Sequence, residues 1–174
     1  LFLKSCANNW MPTEISMQED IKQWKHGEIT DDEKLLVKRC LGFFAGSESL
    51  VGNNLLLSAF RFITDAECRQ YILRQAFEES LHNWTVSVCC EAYNLNVDEV
   101  AEAYRNISTI KNKNKFVSDR LSKFTPDFNI DTKEGKQSFL KNMVTFYLVM
   151  EGTWFFSNFA LIMSLGRQNK LTGL

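Results

Sequence analysis

Residues 71–82 read YILRQAFEESLH, and the Glu79-Ser80-Leu81-His82 that closes this stretch decides how the rest of the chain is read. Residues three apart share one face of a helix, so a carboxylate and an imidazole at that spacing can grip a single metal ion. Alone the pattern is common, and a surface Glu beside a core His is its ordinary explanation. Two further carboxylates change the weighting. Glu48 lies in Phe43-Phe44-Ala45-Gly46-Ser47-Glu48-Ser49-Leu50-Val51, and Glu151 in Tyr147-Leu148-Val149-Met150-Glu151-Gly152-Thr153-Trp154-Phe155-Phe156. A charge set among apolar and small residues needs a partner. Carboxylates bridge hard cations and imidazole adds a directional nitrogen, a donor set suited to iron or manganese.

Each of these segments asks for a long helix, and the composition permits it. Two prolines and eight glycines in 174 residues leave long periodic runs, which favours an all-α chain over many short strands. A short helix is predicted over residues 14–25, ended by Gly27. Thr30 with Glu33 three residues on is a capping pattern that opens a helix over about 31–62. Thr64, Asp65 and Glu67 start another, which runs to about Tyr93 and stops at Asn94. Residues 96–112 read as a shorter helix and the polar stretch 113–131 as a connection turning at Pro126. A last helix covers about 132–165, with Gly166 ending it. Its second half, 143–165, is apolar nearly all round. Glu151 and Asn158 interrupt it, and a carboxylate is costly in hydrocarbon, so a buried central bundle helix is expected in place of a membrane span.

The chain order Glu, Glu-x-x-His, Glu matches three of the four ligand-bearing helices of ferritin-like two-metal proteins, and no second Glu-x-x-His occurs. The expectation is therefore a single all-α, ferritin-like helical bundle over 1–174 with a buried carboxylate-bridged two-metal site, incomplete by one ligand helix. Twenty basic against twenty-one acidic residues give a net charge of -1, which excludes a strongly basic nucleic-acid-binding surface from the first expectations. Five cysteines, Cys6, Cys40, Cys68, Cys89 and Cys90, show neither a disulfide framework nor zinc spacing and fit a reducing cytoplasm. Leu1, Phe2 and Leu3 turn polar by Asn8, unlike a secretory signal.

Five stretches together resemble the small, radical-generating subunit of class I ribonucleotide reductase, most closely the class Ic chlamydial type, over essentially the whole chain. They are Asn8-Asn9-Trp10-Met11-Pro12-Thr13-Glu14, GSESLVGNN at 46–54, YILRQAFEESLH at 71–82, Met150-Glu151-Gly152 and Arg167-Gln168-Asn169-Lys170. The resemblance implies that Glu48, Glu79, His82 and Glu151 are four of six metal ligands. It implies that Trp10 conducts the oxidising equivalent out of the site, linked to His82 by an aspartate that lies outside this sequence. Phe155 and Phe159 are then the lining of the oxygen pocket, with plain core aromatics as their simpler reading. Val86 stands where tyrosyl-radical members hold the radical tyrosine and the chlamydial type holds phenylalanine, so the oxidising equivalent is expected on the metals. Glu48, where most tyrosyl-radical members have Asp, favours a manganese–iron pair, with two irons or two manganese ions as the other compositions.

Tyr147 is read as packing, and Trp84 should face away from His82. The implied activity is that of a ribonucleoside-diphosphate reductase small subunit. Its metals activate oxygen and pass an oxidising equivalent to the large subunit, which makes deoxyribonucleotides for DNA replication. A homodimer in the cytoplasm, partnered by that large subunit, follows from the same resemblance. The rivals are a ferritin-like iron oxidation and storage protein and a non-catalytic homologue.

Overall fold

A computed structural model describes residues 1–174 apart from the side chain of Tyr104. Helix α1 (Phe2–Ala7) leads through a 3-10 turn at Pro12–Glu14 into α2 (Gln18–Lys25), after which Gly27 reverses the chain at φ 82°. The Thr30 pattern is a true capping box: Thr30 Oγ1 accepts from the Glu33 amide at 3.3 Å, and the Thr30 amide donates to Glu33 Oε2 at 2.8 Å. It opens α3, which spans 31–62 as an α segment Asp31–Asn54, a π segment Leu55–Ala59 and a closing turn Phe60–Phe62.

Helix α4 (Ala66–Ala92) starts one residue later than the hydroxyl of Thr64 suggested. Asp65 is its cap, accepting from the Cys68 amide at 2.8 Å, because a carboxylate three residues ahead of a free amide is the stronger acceptor there. Asn94 ends the run in the left-handed region at φ 53°, with the Leu95 amide reaching back to the Cys90 carbonyl at 2.8 Å.

The expected single helix at 96–112 and the connection after it are both corrected. Three helices occupy the stretch: α5 (Val97–Ala101), α6 (Ala103–Asn106) and α7 (Ser108–Leu121), with an extended residue at Ile107 between the last two. Ile110, Asn114 and Val117 recur at helical spacing and are buried in α7, and Ser47 Oγ donates to Asn114 Oδ1 at 3.4 Å. The lysines and asparagines on the outer face of α7 dilute that stripe in the sequence, which is why it read as a loop. A turn does follow at Pro126.

Helix α8 is a single rod, Lys133–Gly166, capped by Thr132 Oγ1 on the Gly135 amide at 3.0 Å. Its middle, Thr145–Phe155, is π-helical, a wider winding than the uniform 3.6 period read from sequence. The buried pair Asn142 and Asn54 ties α8 to α3, with Nδ2 to Oδ1 at 2.7 Å. The expectation of a buried central helix over this apolar stretch is also corrected. Phe146, Met150 and Phe155 are buried, but Leu140, Leu148, Phe156 and Met163 are exposed, and only 17% of its apolar 18-residue window is covered. A helix apolar all round needs neighbours on every side, and the described residues supply them on one. By length and composition this helix passes as a membrane span. The described residues contain no strand.

The chain then returns to α2. Gln23 donates to the Asn169 carbonyl and accepts from the Leu171 amide, both at 2.8 Å, and Lys170 pairs with Glu33 at 2.7 Å. A close interhelical approach occurs at Gly42 on α3, where a Cβ would meet the Ala103 Cβ at 2.5 Å and the Val100 carbonyl at 3.2 Å. Gly42→Ala is expected to force α5 and α6 away from α3 at a cost of about 1–3 kcal/mol, read as a lower urea midpoint with the helical signal retained. An unchanged midpoint would show that this approach is not tight.

Candidate metal centre

Glu48 from α3 meets Glu79 and His82 from α4, and one ligand atom from each lies within 4.8 Å of the others. His82 Nδ1 is hydrogen-bonded to Glu79 Oε2 at 3.0 Å. It is also 3.5 Å from Glu48 Oε2, but without hydrogen-bond alignment, so that oxygen is buried and unpartnered. Glu151 on the π segment of α8 faces the same cavity, and its Oε1 is a second buried oxygen with no partner. The cavity, about 510 Å³, is otherwise mostly apolar, with Trp10, Phe44, Val86, Phe155 and Phe159 in its wall.

Burial raises the proton affinity of two of these carboxylates, Glu48 and Glu151. Glu48 is pushed up to about 8 by desolvation, with His82 pulling the other way, and Glu151 to about 7 by desolvation and then by the charge of Glu79. For His82 burial opposes the imidazolium, but Glu48 and Glu79 outweigh it and carry the ring up to about 10. Protons thus take the place that cations would fill. Two orphaned carboxylate oxygens in an apolar cavity are costly. Three carboxylates and an imidazole fit divalent metal, which would satisfy them together.

The supporting residues came only partly from sequence. Trp10 stacks on His82, with ring centroids 6.1 Å apart and planes at 25°. The residue before it is held by Arg74, whose Nη2 donates to Asn9 Oδ1 at 3.0 Å and which also pairs with Glu78. Two of the family-like stretches are therefore joined by one side chain. Val86 and Phe155 are buried, Phe159 is partly exposed, and Trp84 faces outward as expected.

Tyr147 does more than pack: its hydroxyl donates to Gln75 Oε1 at 3.1 Å, and Gln75 Nε2 reaches Glu79 Oε1 at 3.5 Å. Gln75 and Phe44 were missed. Each lies four residues before a ligand-type Glu, one helical turn, which is the signal that could have found them. Phe44 packs its ring 5.6 Å from Phe155 and 5.4 Å from Phe159.

Comparison with known proteins places this geometry. The family model described as ribonucleotide reductase, small chain, matches residues 1–174. The chain is 45% identical to a ribonucleoside-diphosphate reductase subunit beta of Chlamydia pneumoniae, over 99% of this chain and 50% of that protein. It is 28% identical to the same subunit of Halalkalibacterium halodurans, over 98% of this chain and 47% of that one. A ribonucleotide reductase R2 subunit from Clostridium botulinum superposes with a TM-score of 0.85 at 28% identity, covering 99% of this chain and 52% of that chain. The chain spans about half the length of these relatives. The helical, ferritin-like architecture is thereby established.

The raised groups give the metal-free protein a defined pH response. A group whose folded pKa is raised contributes stability below its unfolded value and loses it as pH climbs through the folded one. Glu48 and Glu151 rise from an ordinary 4.5, and His82 from 6.5, so all three act in one sense. The Tm of the metal-free protein should fall from about pH 5 to about pH 9, and the Glu48→Gln, Glu151→Gln double variant should flatten that slope. A Tm that rises over the same range would contradict the assignment.

Proposed function

The chain belongs to the ribonucleotide reductase small-chain family, and from that membership we propose that it is the metal-holding, oxidant-generating part of a ribonucleoside-diphosphate reductase. The observation that carries the reading is the group of buried Glu48 and Glu79 with half-buried His82, with Glu151 in the same cavity and two carboxylate oxygens unpartnered. These four residues would hold part of a two-metal centre, manganese with iron in the favoured composition, two irons or two manganese ions otherwise. When bound, the metals supply oxygen activation and a strong one-electron oxidising power.

The protein's own residues then have separable tasks. Phe44, Phe155 and Phe159 keep water from the cavity. Gln75, steadied by Tyr147, orients Glu79. Val86 puts an aliphatic side chain, and no phenol, at its corner of the cavity wall, so no tyrosyl radical forms at that position. Trp10, face to face with His82, is the way out for the oxidising equivalent. The destination is the large subunit, where ribonucleotides are reduced. Neither nucleotide nor nucleic acid binds this chain.

Residues 1–174 make one domain of the bundle, and the second Glu-x-x-His comes from sequence outside them. Protein, from the rest of the bundle and a second copy in a cytoplasmic homodimer, covers the open side of α8. Lipid does not, because Glu151 sits midway along it. The iron-storage rival shares the donor set but gains nothing from the Trp10 stack.

Native mass spectrometry of the full-length protein after anaerobic loading with Mn(II) and Fe(II) should find one of each per chain, both lost in Glu151→Ala. Absence of bound metal would overturn the reading. Full loading with no oxidised centre after exposure to oxygen would mark a non-catalytic homologue. Trp10→Phe should keep the metals and, assayed with the large subunit, lose at least tenfold in turnover, about 1.4 kcal/mol in barrier. Undiminished turnover would remove Trp10 from the path.

A further inference from the structure

Past the candidate metal centre, one face of α4 leads to two oxidisable side chains, Cys89 and the C-cap residue Tyr93. Val86, Cys89 and Tyr93 follow His82 at four, seven and eleven residues, the repeat of one helix face. Val86 and Cys89 line the cavity, and Tyr93 is buried one turn past Cys89, about 16 Å along the axis from His82 by helical rise. The Tyr93 hydroxyl donates to Asp20 Oδ2 at 2.9 Å. Its ring stacks on Trp24, with centroids 4.5 Å apart and planes at 20°. Asp20 is itself buried and also accepts from the Gly173 amide, at 3.0 Å to Oδ1.

An anchor between α2 and α4 needs only a hydrogen bond and packing. This arrangement adds what a redox-active phenol requires. A carboxylate stands within direct proton-transfer distance, an aromatic shield excludes water, and a polarizable sulfur lies between the ring and the cavity. Burial, followed by the charge of Asp20, drives the Tyr93 pKa far above its ordinary value, so the phenol gives up an electron only as its proton moves to a neighbour. Lys34 Nζ, 5.5 Å from the Trp24 ring, disfavours a radical cation on the indole and leaves the phenol as the resting place.

We propose that Tyr93, with Asp20 as its proton acceptor and Cys89 bridging to the cavity, is a one-electron donor that stores an oxidising equivalent not taken up at Trp10. The oxidant, an oxidised metal centre, gains one electron. Tyr93 loses that electron, its O–H bond breaks, the proton passes to Asp20 Oδ2, and a neutral phenoxyl radical remains. For its oxidant the proposal rests on the function proposed above, and the test includes an oxidant that does not need it.

In one arm the full-length Trp10→Phe protein, loaded with Fe(II), is mixed with oxygen and freeze-quenched for electron paramagnetic resonance. In the other the metal-free protein is oxidised by photogenerated ruthenium(III) tris-bipyridine. The expected result is a radical signal that narrows on ring deuteration of tyrosine, disappears in Tyr93→Phe and persists in Tyr71→Phe and Tyr147→Phe. Asp20→Asn, which keeps an acceptor oxygen but is a poor base, should lower its yield at least tenfold. Circular dichroism of Tyr93→Phe, which retains the stacked ring, checks that it is folded. A signal that survives Tyr93→Phe, that ignores Asp20→Asn, or that forms in neither arm overturns the proposal. A Tyr93 signal in the photochemical arm alone would support the redox-active phenol and count against the metal reading.

Discussion

Burying carboxylates against one another is the constraint around which this molecule is organised. Glu48 and Glu79 are nearly inaccessible, Glu151 keeps one oxygen fully buried, and His82 is the single nitrogen base among them. Like charges in an apolar cavity repel and resist desolvation, so such a cluster persists only where something positive shares it. In the metal-free protein that role falls to protons, which is why burial lifts Glu48 and Glu151 so far. The same frustration suits the site to metal, since binding exchanges protons for cations and satisfies the orphaned oxygens.

Rigid helices hold that cluster, and their irregularities serve it. The α3 capping box fixes where the long helix begins, and the tight approach at Gly42 lets α5 and α6 press against it. The π winding of Thr145–Phe155 carries Glu151 together with Tyr147 and Phe155, so the wide part of α8 is the part that faces the carboxylates. Such windings recur at functional sites because they re-aim side chains without ending the helix. The outer side of α8 is apolar and uncovered, and the proposed function fills it with further protein.

Two lines of oxidisable side chains meet the cavity, each a proposed route for charge. One is the stacked pair Trp10 and His82, whose loop is pinned by Arg74 through Asn9. The other runs along the buried face of α4 through Cys89 to Tyr93, Asp20 and Trp24, beside the segment that returns from α8 to α2. An oxidant made in a dry cavity attacks whatever oxidisable group is nearest. The placement of indole, phenol and thiol around it therefore matters as much as the ligands do.

Much of this was legible in one dimension. The spacing of Glu79 and His82, the isolated charges at Glu48 and Glu151, the Thr30 cap and the Asn94 stop are local patterns, and local geometry alone realises them. Helix α7 was hidden because its stripe of Ile110, Asn114 and Val117 is thin and half polar, and only packing against α3 gives it meaning. The Tyr147 to Gln75 link, the Arg74 grip on Asn9 and the stack of Tyr93 on Trp24 join residues 65 to 72 positions apart, a span over which sequence carries no distance information. Local pattern sufficed for the isolated carboxylates, the imidazole and the helices that bear them. The convergence of those donors, the π register of Glu151 and the open face of α8 were decided by tertiary structure, because each depends on how far apart helices stand and which of their sides a neighbour fills.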